Sequence, residues 1–475
     1  MRLATFLLLV TSFFTAPALA SSSGIQLENS NLILKLHFDQ TPRDSQMVGA
    51  YLATIKPKVG KDVSKITLLL NPGLQFVKAD AGKKRLNATA SIKPVKGMDM
   101  LELNVVEIDL GKTLSGKSHS YGRSAMDIAI HFRGYIEDIS WTGLSGIKET
   151  LNPNFAMIRA ESFGYPVFAE PSIDAIKTTW AHKPFHQSAT IEYPGSNAAV
   201  SNLIVDHKQL NGSKTIAELS TKTPARLLSV AIAPYSTLIN GAVSVSYLSG
   251  NSAGAGRVSN LLSTEINTLE KLLGTISGAS INVIEMPTGY TSNVPSDAIF
   301  VGSDFFDAPV LSALHKNRIL NLWKFNKTGR EGHWGAGLDA VIAAAVTAPD
   351  MMAEVQMLQF SNATQLFASN SRLGKTSLAD YIVDGFAAQS DVVSPLAFLV
   401  LYELLGQDSF FATVSGLRST LGNGYADMEA VAEYLQDTLK NKKAKKFAKN
   451  WFSTGKAGKD MAKAKSFSEL VKRYK

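Results

Sequence analysis

The sequence predicts an α+β protein of several domains, with a β-rich front and a helical rear. Two observations carry this. From about residue 24 to 250, apolar residues alternate with polar ones at every second position, the period of a half-buried strand. From Arg257 onward they recur at spacings of three and four, the period of an amphipathic helix. The 475 residues leave room for roughly two or three domains. A composition of 45% hydrophobic and 19% charged residues is that of a packed globular chain.

The first twenty residues read as a secretory signal. Met1-Arg2 supplies a positive start, Leu3 to Ala16 is mostly apolar, and Pro17-Ala18-Leu19-Ala20 ends in an A-x-A pattern. Cleavage is expected after Ala20, with export to a bacterial periplasm or the medium. No later segment approaches the roughly 20 apolar residues of a spanning helix, so Ala336 to Ala348 reads as a buried helix. The chain has no cysteine, which excludes disulfides, thiolate metal sites and a cysteine nucleophile.

The β-rich domain is expected over 21–250. Leu32, Leu34, Leu36 and Phe38 stand opposite Ile33, Lys35 and His37. Met126, Ile128, Ile130 and Phe132 stand opposite Asp127, Ala129, His131 and Arg133. Ala225 to Pro234 and Ala242 to Leu248 follow the same pattern more loosely. Such strands, joined by Gly, Asn, Pro and Ser turns, imply a β-sandwich or saddle. The small-residue run Ser249 to Gly256 marks the expected boundary. Val258, Leu261, Leu262, Ile266, Leu269 and Leu272 then outline a helix. Two short strands follow at 281–285 and 298–301, and helices are expected near 305–325, 336–348, 350–370, 376–390, 393–405, 407–416, 426–439 and 442–453. The helical domain spans 251–455, and 456–475 reads as a basic tail.

The net charge of +8 is uneven. Residues 440–475 hold 13 Lys and Arg against Asp460 and Glu469, which leaves the rest of the chain at −3. That end reads either as a solvated helix face or as a contact for an anionic surface such as lipid headgroups or acidic polymers. Phe447, Trp451 and Phe452 form its buried stripe. Export argues against nucleic acid as a partner.

Two motifs suggest chemistry. Gly250-Asn251-Ser252-Ala253-Gly254 matches G-x-S-x-G between a strand and a helix, the place of a nucleophile elbow. Antiparallel-looking strands precede it, and only His315 and His333 lie beyond it, so an interdomain turn accounts for it better. His182 and His186 are four apart, yet Pro184 between them opposes the helix that would align two metal ligands. H-E-x-x-H, the helix-borne zinc signature, is absent.

The ordered series of segments from about residue 100 to 455 resembles the gluzincin zinc aminopeptidases, the family of alanyl aminopeptidase and leukotriene hydrolase. There a strand-rich domain precedes a thermolysin-like domain, one helix carries H-E-x-x-H-Q-W-[FW]-G-N, and the next carries W-L-[NS]-E-G-[FL]-A. The two His bind zinc, the first Glu activates water, and the second Glu is the third ligand. Phe360 to Ser369 falls where the first motif belongs, and Tyr381 to Ala387 where the second does. Gln365, Phe367, Gly385, Phe386 and Ala387 match the family types. At the functional positions, Phe360 and Thr364 stand for the two His, Ser361 for the general base, and Asp384 for the third ligand.

The flanking pieces resemble the family too. Ile281 to Pro287 and Asp297 to Ser303 resemble the strands around its G-x-M-E-N motif, which Ser292 to Pro295 replaces here. Ser394 to Gly406 resembles its Y-x-K-G-A helix, with Asp391 near the place of the transition-state tyrosine. Ile130 to Tyr135, Glu161 to Pro166 and Phe447 to Phe452 resemble further family segments.

The resemblance implies zinc as cofactor. The residues present predict that it is lost, because a phenyl ring has no lone pair and a lone hydroxyl is a poor ligand. The expectation is an exported, non-catalytic relative that binds a peptide or protein. The alternatives are a hydrolase built on Ser252 or on retained carboxylates such as Asp384 and Glu354, and a structural partner of an active peptidase.

Overall fold

The computed structural model describes residues 24–475 apart from 40, 42, 59–60, 117–123, 143–150, 181–184, 211–212, 222–224, 226, 277–279, 289, 291–297, 312–314, 316–318, 320–333, 348, 382–385 and 422–427. The expected signal segment, with Ala20, lies outside the described residues, as do Asp384, Gly385, His119, His182, His333 and the segment Ser292 to Pro295. The chain divides into two compact units, a sheet-rich one of 24–263 with 280–310 and a helical one of 264–279 with 311–475.

The sheet-rich unit opens with β1 (Ile25–His37), β2 (Gln46–Pro57), β3 (Val63–Leu70), β4 (Leu74–Ala81), β5 (Lys84–Arg85), β6 (Asn87–Val95), β7 (Met98–Leu114), β8 (Met126–Gly134) and β9 (Ala156–Arg159). After helix α1 (Ile173–Trp180) come β10 (His186–Pro194), β11 (Ala198–Ser201), β12 (Ile204–Leu210), β13 (Lys214–Ser220), β14 (Ser229–Ala233), β15 (Tyr235–Asn240) and β16 (Val243–Leu248). One sheet has the order β12-β13-β10-β1-β2-β8-β4-β5, a second β3-β7-β6 and a third β11-β14-β9.

The period-two pattern explains which side chains go inside. Leu32, Leu34 and Leu36 of β1 are buried while Ile33, Lys35 and His37 face out. Met126, Ile128, Ile130 and Phe132 of β8 are buried in the same way. The inner faces of the first two sheets share one core, in which Leu34 and Ile130 join Leu68, Val105 and Ile108. Each such side chain contributes about 1.5–3 kcal/mol on leaving water. Gly49 of β2 pairs with Leu34 on one side and Phe132 on the other. A Cβ there would lie 2.4 Å from the Phe132 ring and 2.8 Å from Leu34, so only glycine fits beneath them.

The chain continues through α2 (Ser252–Leu273) into β17 (Ile281–Met286) and β18 (Ala298–Gly302). These strands extend a fourth sheet in the order β15-β16-β17-β18, and both β16–β17 and β17–β18 are parallel. Parallel neighbours need a crossover connection, and α2 supplies the one between β16 and β17. Residues 281–302 therefore belong to the sheet-rich unit, past the boundary expected near 250. The buried stripe of α2 is Val258, Leu262, Ile266, Leu269 and Leu273, so Leu273 rather than Leu272 closes it. Helix α3 (Ser303–Asp307) ends inside the expected 305–325; residues 308–311 are not helical, His315 and Ile319 are, and the rest of 312–325 lies outside the described residues. Pro309 disfavours helical backbone at Ala308 and helps stop it there.

The helical unit contains α4 (Trp334–Thr347), α5 (Met352–Ser369), α6 (Ala387–Leu405), α7 (Gln407–Leu421), α8 (Met428–Thr438), α9 (Lys442–Ala448), α10 (Ala457–Met461) and α11 (Phe467–Lys472). Leu338, Val341, Ile342, Ala344 and Ala345 of α4 are buried, and no single helix among the described residues is long and apolar enough to cross a membrane. The helices expected over 376–390 and 393–405 resolve differently. Two short 3-10 turns lie at 373–375 and 378–380, and a single helix α6 then runs through Pro395. Gly337 of α4 approaches that point so closely that a Cβ would lie 2.5 Å from the Ser394 Cβ and 2.9 Å from the Pro395 nitrogen. Packing from Val393 to Leu401, all buried, outweighs the roughly 3 kcal/mol that an internal proline costs.

Residues 456–475, expected as a basic tail, carry α10 and α11 and are packed. A π-helical turn at 449–453 precedes them and lets both Trp451 and Phe452 turn inward, fully buried. The Tyr474 ring meets Phe447 edge-on at 5.0 Å, and Phe452 meets Phe398 at 5.5 Å. Asp460, also buried, accepts hydrogen bonds from Trp451 Nε1 at 3.1 Å and Tyr474 Oη at 2.5 Å, and pairs with Arg473 Nε at 3.5 Å.

Candidate functional site

Helix α5 carries the positions matched to the zinc motif. Its inner face is Val355, Gln359, Phe360 and Ala363. Phe360 therefore points into the packed side, buried, and Ser361 one residue on is exposed. Thr364 lies one turn beyond Phe360 and is exposed, and its hydroxyl donates to the Phe360 carbonyl at 2.8 Å. A threonine in a helix commonly ties its hydroxyl to the preceding turn in this way. Gln365 is exposed and Phe367 half-buried. Glu354, one of the retained carboxylates, is exposed in the first turn of α5.

The donor set on this helix does not suit zinc. The phenyl of Phe360 offers no lone pair, the Thr364 oxygen is a neutral hydroxyl engaged with its own backbone, and Ser361 is a second neutral hydroxyl. No group of three His, Asp or Glu side chains able to hold a metal occurs among the described residues. Asp384, the remaining candidate, lies outside them.

The rest of the matched region is tied together by side chains. Tyr381 and Phe386 bracket the second motif, both buried, with rings 6.0 Å apart and edge-on. The Phe386 amide donates to the Tyr381 carbonyl at 2.6 Å, and the Arg372 guanidinium sits 5.5 Å from the Phe386 ring centre. Burial pushes the Tyr381 phenol far above its ordinary value, so it stays protonated. Gln356 of α5 donates to Glu403 of α6 at 2.8 Å, and Lys475 approaches the other oxygen of Glu403 at 3.8 Å. Buried Gln359 of α5 and, separately, Gln389 at the start of α6 leave their amide oxygens without a hydrogen-bond donor among the described residues.

Ser252 is the first residue of α2 and is exposed. The turn before it is pinned by Glu285 of β17, which is buried. One Glu285 oxygen accepts from the Leu248 amide at 2.8 Å, the other from Asn251 Nδ2 at 2.6 Å. Gly250 adopts φ +95°, a conformation that favours glycine. A Cβ on Gly254 would lie 2.9 Å from the Phe306 Cβ of α3. Both glycines of G-x-S-x-G thus have packing and backbone roles, and no hydrogen bond joins Ser252 to a histidine among the described residues. Sequence inspection did not single out Glu285; its signal was a lone acid inside an apolar strand.

The histidines are scattered. His186 lies on strand β10, exposed, 3.4 Å from the Thr221 hydroxyl, so helical i, i+4 alignment does not apply to it. His131 faces Asp80 at 3.6 Å, yet burial and then the Lys78 charge keep its pKa low. His315 is buried in the helical unit, and burial lowers its pKa. A concavity that sequence reasoning did not foresee opens in the sheet-rich unit, with a cavity volume of about 110 Å³, beside Tyr51, Lys58, Tyr165, Phe168, Phe185 and Gln187. The Tyr51 and Tyr165 rings stack there at 5.9 Å, and burial pushes the Tyr51 phenol up to about 12. These residues come from segments far apart in the chain, so no local pattern announces them.

No family model and no curated protein matches the sequence. Solved structures match its fold. An M1 zinc metallopeptidase from Deinococcus radiodurans is 15% identical, with a TM-score of 0.51 over 90% of this chain and 94% of that one. The same enzyme with a bound Tyr-Ser-Ala substrate is 16% identical, with a TM-score of 0.50 over 91% and 95%. Yeast leukotriene A4 hydrolase is 13% identical, with a TM-score of 0.52 over 93% of this chain and 70% of that one. The fold is that of the M1, gluzincin-type peptidases: a sheet-rich front followed by a helical rear.

Proposed function

We propose that this chain uses the M1 peptidase fold without its zinc chemistry, as an exported, non-catalytic protein that binds short peptides. The observation that carries this reading is the chemistry of α5. Where that fold would place two imidazoles one turn apart, this helix has a buried phenyl and a hydroxyl bonded to its own backbone. Ser361 cannot replace a carboxylate as general base near neutral pH, because a hydroxyl gains a proton from water far too weakly. Without a metal or a base, the chemical step has no driver, whereas binding needs only shape and hydrogen-bonding groups. The tripeptide held by the Deinococcus enzyme supports short peptides as the ligand class. The leader-like first twenty residues support export.

The test uses one preparation of the mature protein. Metal analysis should find no stoichiometric zinc, a panel of aminoacyl amides should show no turnover, and labelled tripeptides should bind by fluorescence polarisation. Stoichiometric zinc with amide turnover sinks the non-catalytic part. Absence of binding to any peptide at millimolar concentration sinks the ligand assignment.

A further inference from the structure

We propose that the folded basic end of the helical unit, residues 440–475, docks on an anionic lipid bilayer. All 13 Lys and Arg residues of this stretch are exposed, Arg473 by only 31% of its side chain. Asp460, one of its two acids, is buried among Trp451, Tyr474 and Arg473, and so adds little to the surface. Glu469 is occupied by the backbone amide of Lys465 at 2.9 Å. Only Arg473, with Asp460, and Lys475, with Glu403, have ion pairs in the described structure. The rest is a surface of cations held together by one packed core: Phe447, Trp451, Phe452, Leu470, Val471 and Tyr474.

Local rules of helix stability are broken here. Helix α9 reads Lys-Lys-Ala-Lys-Lys, with two cations in its first turn, where the helix dipole disfavours them. Lys442 and Lys446 are like charges at i, i+4, as are Lys445 and Lys449, and such pairs repel. A sequence that accepts this without a gain in folding points to use of the charge.

The partner follows from what is exposed. Twelve of the thirteen cations are lysines, point charges without the forked geometry that selects one ligand. All the aromatic rings of the stretch are buried, so none is free to stack on nucleic-acid bases. Large apolar side chains there are buried as well, which leaves nothing to insert into the acyl layer. A planar array of anionic headgroups matches a broad, unpatterned field of ammonium groups. Attachment is peripheral and salt-releasable. This surface is independent of peptide binding, so either assignment can fail alone.

The experiment is co-sedimentation of the mature protein with vesicles of mixed phosphatidylglycerol and phosphatidylcholine, and with pure phosphatidylcholine, at low and high salt. Binding is expected only to the anionic vesicles and only at low salt. The combined variant Lys442→Gln, Lys443→Gln, Lys445→Gln, Lys446→Gln should lose roughly five-fold in partitioning per cation removed. The same four positions changed to Arg should keep it. Far-UV circular dichroism checks the fold; if the first variant unfolds, Lys459→Gln with Lys463→Gln and Lys465→Gln takes its place. Equal binding to neutral vesicles, or parent-level binding by the folded Gln variant, overturns the proposal. So does retention on dextran sulfate without any vesicle binding, which would mark an acidic polymer as the partner.

Discussion

Removing the Asp460 carboxylate should destabilise the helical unit and release the end of the chain. In Asp460→Ala, Trp451 Nε1 and Tyr474 Oη lose their acceptor. Trp451 is fully buried and Tyr474 only 5% exposed, so neither donor can turn to water. A stranded buried donor costs about 1–3 kcal/mol, and two give about 4 kcal/mol. The pair with Arg473, whose side chain is 31% exposed, adds little after solvent screening. For a unit of this size each kcal/mol moves Tm by about 2–4 °C, so the transition should fall by roughly 8–16 °C. Differential scanning calorimetry measures that shift. Limited trypsin digestion gives a second readout, because the lysines of 456–475 should resist cleavage in the parent and be cut in the variant. A Tm change under about 2 °C with an unchanged digestion pattern would refute the view that Asp460 holds this end together.

Three other substitutions probe the turn, the helix contact and the buried histidine. Ser252→Ala should change stability by less than about 0.5 kcal/mol, whereas Glu285→Ala, which strands the Leu248 amide, should cost about 2–3 kcal/mol; urea denaturation separates them, and equal effects would contradict the turn-pinning role. Gly337→Ala forces a Cβ against Ser394 and Pro395 and should cost about 1–3 kcal/mol, seen as a lower denaturation midpoint; a neutral result would mean that α4 and α6 can separate freely. Burial holds the His315 pKa below 6.5, so as pH falls below that value the unfolded chain takes up a proton that the folded chain refuses. Stability should drop as pH falls below about 7.5, less steeply in His315→Gln, with His131 supplying a residual slope of the same sign. Identical slopes in parent and variant would remove His315 from that account.

Local patterns carried the strands well. In β1 and β8 the period-two rule named the buried residues correctly, because a strand side chain has only two faces to choose between. The α5 helix was equally legible: a helix is expected over 350–370, and Met352–Ser369 forms one. The stretch 376–390 was not. Its composition suits a helix, yet a 3-10 turn forms at 378–380, and α6 starts only at Ala387. Pro395 reads as a break in sequence, but Gly337 and the buried residues around it hold the helix through it.

Residue identity alone decided some properties of this protein. A chain without cysteine forms no disulfide and no thiolate metal site, whatever its fold. The excess of cations near the end is likewise a matter of counting. Where those cations stand was decided by tertiary structure. A basic, lysine-rich stretch with few apolar residues looks like a solvated tail, because each piece buries too little surface to order itself. Only when Phe447, Trp451, Asp460 and Tyr474 meet, from positions up to 27 residues apart, does enough contact accumulate to fold it. The same holds for β17 and β18, which extend the β15–β16 pair because β16 offers a parallel edge that no local period encodes.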